Sequence, residues 1–153
     1  MITSVYIAYD DTDENLRDEL KSHLSSLIRR KLITLNDHRS VPPGREWQEN
    51  ITHSIESAKI ILLLCSSSFF NNDWCYEYEI KRAVRQHEAQ QSIVIPILVR
   101  PFNLSALEDL RKLQWLPPNG VPITSWKDRD AAWVSVTQDI ETVIYTILTQ
   151  AKV

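Results

Sequence analysis

Two glutamates in residues 65–88, Glu77 and Glu79, are the candidate active carboxylates of the chain. Helical geometry does not choose between them, because at about 100° per residue each lies roughly 80° from the centre of the apolar stripe, on opposite sides. Glu77 has Lys81 four residues on, the favoured order for an exposed ion pair. Glu79 has no lysine or arginine four residues away, and Arg82, three residues on, is a weaker partner. Glu79 therefore has the poorer structural explanation, and Glu77 stays open as the alternative.

Two tryptophans stand close to polar segments that could border a pocket. Trp74 begins the same predicted helix about one and a half turns before Glu79, and Trp47 begins another helix after a proline-rich loop. An aromatic ring at a pocket rim can stack on a planar base or ring. The alternative is that both tryptophans are packing anchors.

A central strand is expected to carry this stretch. The apolar run 60–65 predicts a buried parallel strand, residues 66–73 a polar, aromatic-rimmed loop, and residues 73–87 the helix that holds both glutamates. In open α/β sheets the ligand crevice lies outside the carboxyl ends of the strands. We therefore expect any pocket at this loop.

Strands and helices are predicted to alternate along the whole chain. The other expected strands are 4–9, 32–35, 93–99 and a short fifth at 121–124, and the other helices are 13–30, 47–58, a weak one within 104–116, and 132–148. Pro96 indicates an edge position or a bulge in its strand. The alternation predicts an α/β fold, with a parallel sheet of about five strands and helices on both faces. We expect residues 1–153 to form one domain.

Composition and charge argue against several classes of protein. The net charge is −3 with no long basic run, which argues against nucleic acid as the main partner. Apolar runs are too short to span a bilayer and no signal pattern begins the chain, so we expect a cytoplasmic protein without a membrane partner. The two glycines exclude a P-loop and a Rossmann fingerprint, both of which need clustered glycines. The histidines and cysteines show neither metal-ligand spacing nor a disulfide framework, so no metal site is expected.

An acidic pair after the first strand suggests a phosphoacceptor receiver domain. Asp10 and Asp11 would fit that fold, but it also needs an aspartate at the end of the third strand. This chain has Cys65 and Ser66 there, so the receiver interpretation is weak.

Six motifs, in order and on the predicted elements, resemble a Toll/interleukin-receptor (TIR) domain, most closely the bacterial kind. They are V-Y-I-A-Y at the first strand, D-H-R-S-V-P-P-G-R-E-W in the loop before the second helix, I-I-L-L-L-C-S-S-S-F-F at the third strand, D-W-C-Y-E-Y-E-I-K-R-A at the key helix, V-I-P-I-L-V-R-P at the fourth strand and L-Q-W-L-P near the end. The resemblance covers nearly the whole length. It implies a flavodoxin-like fold, which agrees with the alternation of elements.

The resemblance also implies an activity and a catalytic residue. Many bacterial and plant members cleave the nicotinamide–ribose bond of NAD, with a glutamate in the third helix. The plant-like spacing, four residues after the aromatic, falls on Tyr78 here. Many bacterial members look as if they carry one extra residue, so that the glutamate comes five residues after the aromatic and is followed by an aliphatic and a basic residue. Glu79 in Y-E-I-K-R matches this form. Glu77 remains the second candidate.

Further site residues are implied on the same basis. Trp74 would stack on the substrate, while the residues that would shape its site are Tyr9, Asp10, Arg39, Trp47 and Ser66. Residues 37–47 resemble the loop that borders the pocket in this family and helps its domains assemble. Arg39 in this loop would meet a phosphate or pin the loop to an acidic neighbour.

The mechanism implied is NAD glycohydrolysis by one carboxylate. Glu79, with an ordinary pKa of roughly 4.3, is expected to be ionised at neutral pH and to stabilise the oxocarbenium ion of the ribose. The product would be ADP-ribose or a cyclic isomer, with NAD as substrate and no cofactor. Partners would be other TIR domains, in a homo-oligomer or filament, and a fused or separate sensor, in bacterial anti-phage immunity. The chain would then be one domain of a longer protein. The competing hypothesis is a non-catalytic TIR scaffold.

Overall fold

A parallel sheet forms the centre of the computed structural model, which describes residues 2–105 and 107–151. Its strands are β1 (Thr3–Ala8), β2 (Ile33–Asn36), β3 (Ile60–Cys65) and β4 (Ile93–Leu98), in the spatial order β2-β1-β3-β4. All three pairings are parallel. The central strand β3 is buried at every residue, as its unbroken apolar run predicts. The predicted α/β architecture is confirmed, with four strands rather than about five.

Helices lie on both faces of the sheet. They are α1 (Glu14–His23), α2 (Ser25–Arg29), α3 (Trp47–Ser57), α4 (Ser67–Asn71), α5 (Lys81–Glu88), α6 (Glu108–Arg111) and α7 (Arg129–Ala151). Alternate strand residues point to opposite faces. In β1, Val5 and Ile7 join the core under α1, α2 and α7, while Tyr6 and Ala8 join the core under α3 and α5.

The predicted fifth strand is wrong. Residues 121–124 run into a 3₁₀ turn, Ile123–Ser125, because Pro122 has no amide proton to give to a strand ladder. Thr124 N donates to the carbonyl of Val99, beyond the end of β4. Leu116 forms an isolated bridge with Ile97 of β4. The edge position that Pro96 indicates for its strand is confirmed.

Three helical segments also differ from expectation. Residues 67–71, predicted as a loop, form α4, which begins because the Ser66 side chain accepts from Phe69 N. The helix expected over 73–87 contains a π-helical segment, Cys75–Ile80, before it continues as α5. The helix expected over 13–30 is divided at Leu24 into α1 and α2. Among the helices described, none is long and apolar enough to cross a membrane.

Candidate functional site

The carboxylate of Glu79 lies against the central strand β1. Glu79 is 1% exposed, and its Oε2 accepts a hydrogen bond from the Tyr6 hydroxyl at 2.5 Å. Its Oε1 is buried and has no hydrogen-bond partner in the described part of the chain. The sheet thus holds one carboxylate oxygen and leaves the other able to accept from a further donor.

The second candidate, Glu77, points to solvent. It accepts from Lys81 Nζ at 2.6 Å, in the exposed ion pair that their spacing predicts. Glu79 has its partner in β1, far away in sequence, which an argument from helical neighbours could not find. The two carboxylates therefore have different environments, one solvated and ion-paired, the other buried and hydrogen-bonded.

The π-helical segment explains why Glu79 is buried. A π-helix bonds each residue to the one five positions along, so a turn holds one more residue than an α-helical turn. The buried face consequently includes Cys75, Glu79 and Ile80 together. Trp74 and Glu79 are five residues apart. In a π-helical turn this spacing corresponds to a spacing of four residues in an α-helix, which is one hydrogen-bonded turn. In the plant-like spacing the glutamate comes four residues after the aromatic residue, whereas here it comes five residues after Trp74. The π turn accommodates this additional residue.

Burial raises the pKa of Glu79 to about 7, against the opposing hydrogen bond from Tyr6. Asp37 and Asp11 raise it further by charge repulsion. The expectation of an ordinary pKa is therefore wrong, because it ignored the loss of water around the carboxylate. Near neutral pH the Glu79 side chain divides between its charged and neutral forms.

Aromatic side chains stack in a column that begins on the helical segment of Glu79. Trp74 stacks on Tyr78 with ring centroids 4.1 Å apart, and Trp47 lies at 4.6 Å from Trp74, tilted by 41°. The Arg82 guanidinium lies over the Tyr78 ring at 4.5 Å. Trp47 is 45% exposed, and its Nε1 donates to the carbonyl of His38. The two tryptophans singled out in the sequence are thus brought together.

Loop 37–47 is fastened to the start of α1 by charged contacts. Asp37 pairs with Arg17 in α1. His38 Nε2 lies 2.7 Å from Asp11, and Arg39 Nε lies 2.7 Å from Glu14. Of the two roles expected for Arg39, pinning the loop to an acidic neighbour is the one present in the structure.

Tyr9 and Asp10, at the end of β1, belong to the same network. Tyr9 is buried with its ring 4.7 Å from that of His38, and its hydroxyl has no partner among the described residues. Although burial acts to raise the pKa of Asp10, hydrogen bonds from Asn72 and Thr12 lower it overall. Asp10 therefore ties the end of β1 to the turn before Trp74.

Ser66 is engaged in the framework of the fold. Its Oγ donates to Asp13 at 2.6 Å and accepts from Phe69 N at 3.2 Å. Asp13 is fully buried and also accepts from Arg100 Nε at 2.6 Å. The Ser66 hydroxyl thus joins the ends of β1, β3 and β4.

Sequence reasoning missed Tyr6 and Asp13 as members of this region, and it placed Asp37 in the bordering loop without its burial or its pairing with Arg17. A signal existed for Tyr6, because a tyrosine at an inward position of a central strand needs a partner for its hydroxyl. Asp13 and Asp37 lie in polar loop segments, where the sequence does not distinguish a buried carboxylate from a solvated one.

Comparison with known proteins gives a family and a fold. A family model described as a TIR domain matches residues 5–137. The uncharacterized protein y4lF of Sinorhizobium fredii is 36% identical over 137 residues, which cover 90% of this chain and 42% of that protein. The chain thus spans less than half of that relative's length.

Two solved structures have similar folds. The TIR domain of the Toll-related receptor TRR-2 from Hydra magnipapillata gives a TM-score of 0.55 at 23% identity, covering 90% of this chain and 97% of that one. The TIR domains of the activated Roq1 resistosome, which recognises the pathogen effector XopQ, give 0.63 at 15% identity, covering 90% and 99%. The sheet order and both neighbours agree with the family match. The chain belongs to the TIR domain family.

Proposed function

We propose that this domain is an NAD+ nucleosidase that cleaves the nicotinamide–ribose bond. The observation that carries the proposal is the state of Glu79, whose Oε2 is held by Tyr6 while its Oε1 is buried without a partner. A carboxylate oxygen with unused acceptor capacity, on a helical segment that also carries stacked aromatic rings, suits a ligand with hydroxyl groups and a planar ring.

Bond cleavage develops positive charge on the ribose, and ionised Glu79 would stabilise that charge. Hydrogen bonds to the ribose hydroxyls would strengthen in the transition state. Nicotinamide leaves as a neutral molecule and needs no general acid, so one carboxylate is sufficient. Water attacking the ribose carbon gives ADP-ribose, and a nucleophile of the ADP-ribose itself gives a cyclic isomer.

The other residues are proposed to contact the substrate or to shape its site. Trp74 would stack on a ring of the substrate, and Trp47 would border it. The residues proposed to shape the remainder of the site are Tyr9, Asp10, Arg39 and Ser66. Arg39 is half exposed and would contact a phosphate if it released Glu14.

Assembly with other TIR domains is proposed as the activating step. Glu79 is 1% exposed, so substrate must gain access by a movement of the surrounding segments. Loop 37–47 borders the site and is largely exposed, and a neighbouring domain that bound this loop would shift it. We propose bacterial immune signalling as the setting, with a fused or separate sensor that triggers assembly.

A non-catalytic TIR scaffold is the second candidate. Burial of Glu79 and its hydrogen bond to Tyr6 favour it, because both are also what a structural carboxylate would show. On this hypothesis loop 37–47 binds other TIR domains and the site cleaves nothing.

Nicotinamide release from NAD by the concentrated chain, with a crowding agent or a fused oligomeriser, tests the proposal. Glu79→Ala should abolish release. Glu77→Ala is the matched control, since it removes an exposed carboxylate from the same segment and should retain activity. Chromatography of the product separates hydrolysis from cyclisation. An assembled wild type that leaves NAD intact would support the scaffold instead.

A further inference from the structure

Tyr6 is placed rigidly beneath Glu79. It lies in β1 between β2 and β3, in register with Asn36 and Ile61, and is fully buried. Its hydroxyl lies 2.5 Å from Glu79 Oε2. Because β1 is paired on both sides, the Tyr6 hydroxyl cannot move without disturbing the sheet. Glu79 lies in the π-helical segment, outside the sheet.

We propose that Tyr6 is a positioning residue for Glu79, holding Oε2 so that Oε1 is the oxygen that accepts from the substrate. This inference rests on the proposed function, because it assigns a task within that reaction. Tyr6 need not touch the substrate to perform this task. It fixes the direction of the carboxylate and favours the charged form.

The groups around Glu79 act on its charge in opposite directions. Tyr6 from β1 donates a hydrogen bond, which favours the carboxylate, whereas the Cys75 thiol of the π-helical segment donates to the carbonyl of Tyr9. Asp37, after β2, and Asp11, after β1, disfavour it by repulsion. Burial and the neighbouring Glu79 raise the pKa of Tyr6, so the phenol keeps its proton and remains the donor. Burial, Asp37 and Asp11 all raise the pKa of Glu79, and the Tyr6 hydrogen bond lowers it. Removing the Tyr6 hydroxyl should therefore raise this pKa further.

A packing role for Tyr6 predicts a different result. Phenylalanine keeps the ring and the apolar contacts, so Tyr6→Phe removes the hydroxyl alone. If Tyr6 only fills space, the titration of Glu79 stays where it is in the wild type. If it positions the carboxylate, the pKa of Glu79 rises by about one unit or more, since a hydrogen bond to a charged group is lost.

The test is a ¹³C NMR titration of the glutamate side-chain carboxyls in the wild type and in Tyr6→Phe, with Glu79→Gln assigning the resonance. Tyr145→Phe is the matched control. It removes an exposed phenol that accepts from Arg30 on the opposite face. We expect the Glu79 midpoint to move to higher pH in Tyr6→Phe and to stay in Tyr145→Phe. The pH profile of nicotinamide release should move by the same amount.

The two readouts separate this inference from the function on which it rests. An active wild type whose Glu79 titration is unchanged by Tyr6→Phe overturns the role of Tyr6 and keeps the nucleosidase. A wild type that cleaves no NAD, with a shifted titration, overturns the nucleosidase and keeps Tyr6 as the group that sets the charge of Glu79.

If Tyr6→Phe does not fold, the wild type and Glu79→Ala decide the matter. The Tyr6 hydroxyl proton, shared over 2.5 Å in a buried site, should give a downfield, slowly exchanging proton resonance. This resonance should vanish in Glu79→Ala. A wild type without it, or a resonance that persists in Glu79→Ala, overturns the proposal.

Discussion

Glu79 is an ionisable side chain that the fold surrounds with apolar groups and two aspartates. Its pKa rises from 4.5 to about 7, chiefly through burial. Between these values the folded chain binds a proton that the unfolded chain has already lost. The free energy of unfolding therefore falls as pH rises from 4.5 to about 7, and the contribution of Glu79 becomes constant above this range.

Glu79→Gln should change the pH dependence of stability. The neutral amide keeps an acceptor for Tyr6 but has no charge to bury. Relative to the variant, the wild type should lose about 3 kcal/mol of unfolding free energy between pH 4.5 and pH 8. Urea unfolding of both proteins across this range measures the difference. Glu77→Gln, at an exposed position, should show no such change, and a difference for Glu79→Gln that did not vary with pH would contradict the prediction.

At the scale of elements, the strands were predictable and the π-helical segment was not. The apolar runs at β1 and β3 identify strands by themselves, because a central parallel strand is apolar on both faces, and β4 carries a similar run at the sheet edge. The choice between Glu77 and Glu79 assumed a regular α-helix, so geometry placed both glutamates at the margin of the apolar stripe. The π turn widens the buried face, and no pattern of single residues in the sequence reveals it. Tyr6 was missed because its partner is 73 residues away.

Loop 37–47 should be loosened by Asp37→Ala. Asp37 and Arg17 are both largely buried, and removing one member of such a pair leaves the other charge without its partner. Asp37 also accepts from Arg39 N, so the turn loses a second tie. Hydrogen exchange followed by mass spectrometry should accelerate in residues 37–47 while β3 stays protected.

A control for this change is Lys81→Ala, which breaks an exposed ion pair of small energetic weight. It should leave exchange in loop 37–47 unchanged. Uniform acceleration across the sheet in Asp37→Ala would show that Asp37 supports the whole fold rather than the loop.

At the scale of the whole molecule, the fold joins a sheet with a core on both faces to a loop held by polar side-chain contacts. Hydrophobic clusters on both faces of the sheet do not involve loop 37–47 beyond Val41. Besides Val41, the loop meets the core through the ring contacts of His38 with Tyr9 and of Trp47 with Trp74. A head-to-tail contact through such a loop repeats from one copy to the next, and an interface of that type produces rings or filaments.

Arg45→Glu should weaken assembly without altering the site. Arg45 is exposed in loop 37–47 and has no ion pair among the described residues, so reversing its charge acts on the surface that a second copy would meet. We expect light scattering to show less association than in the wild type, and nicotinamide release per chain to fall at equal concentration. Fusion to an oligomeriser should restore that release, because the carboxylate and the aromatic column are unchanged. Arg29→Glu, at the exposed end of α2, is the matched control and should associate as the wild type does. A loss of activity in Arg45→Glu that forced oligomerisation did not restore would place Arg45 at the substrate instead of at the interface.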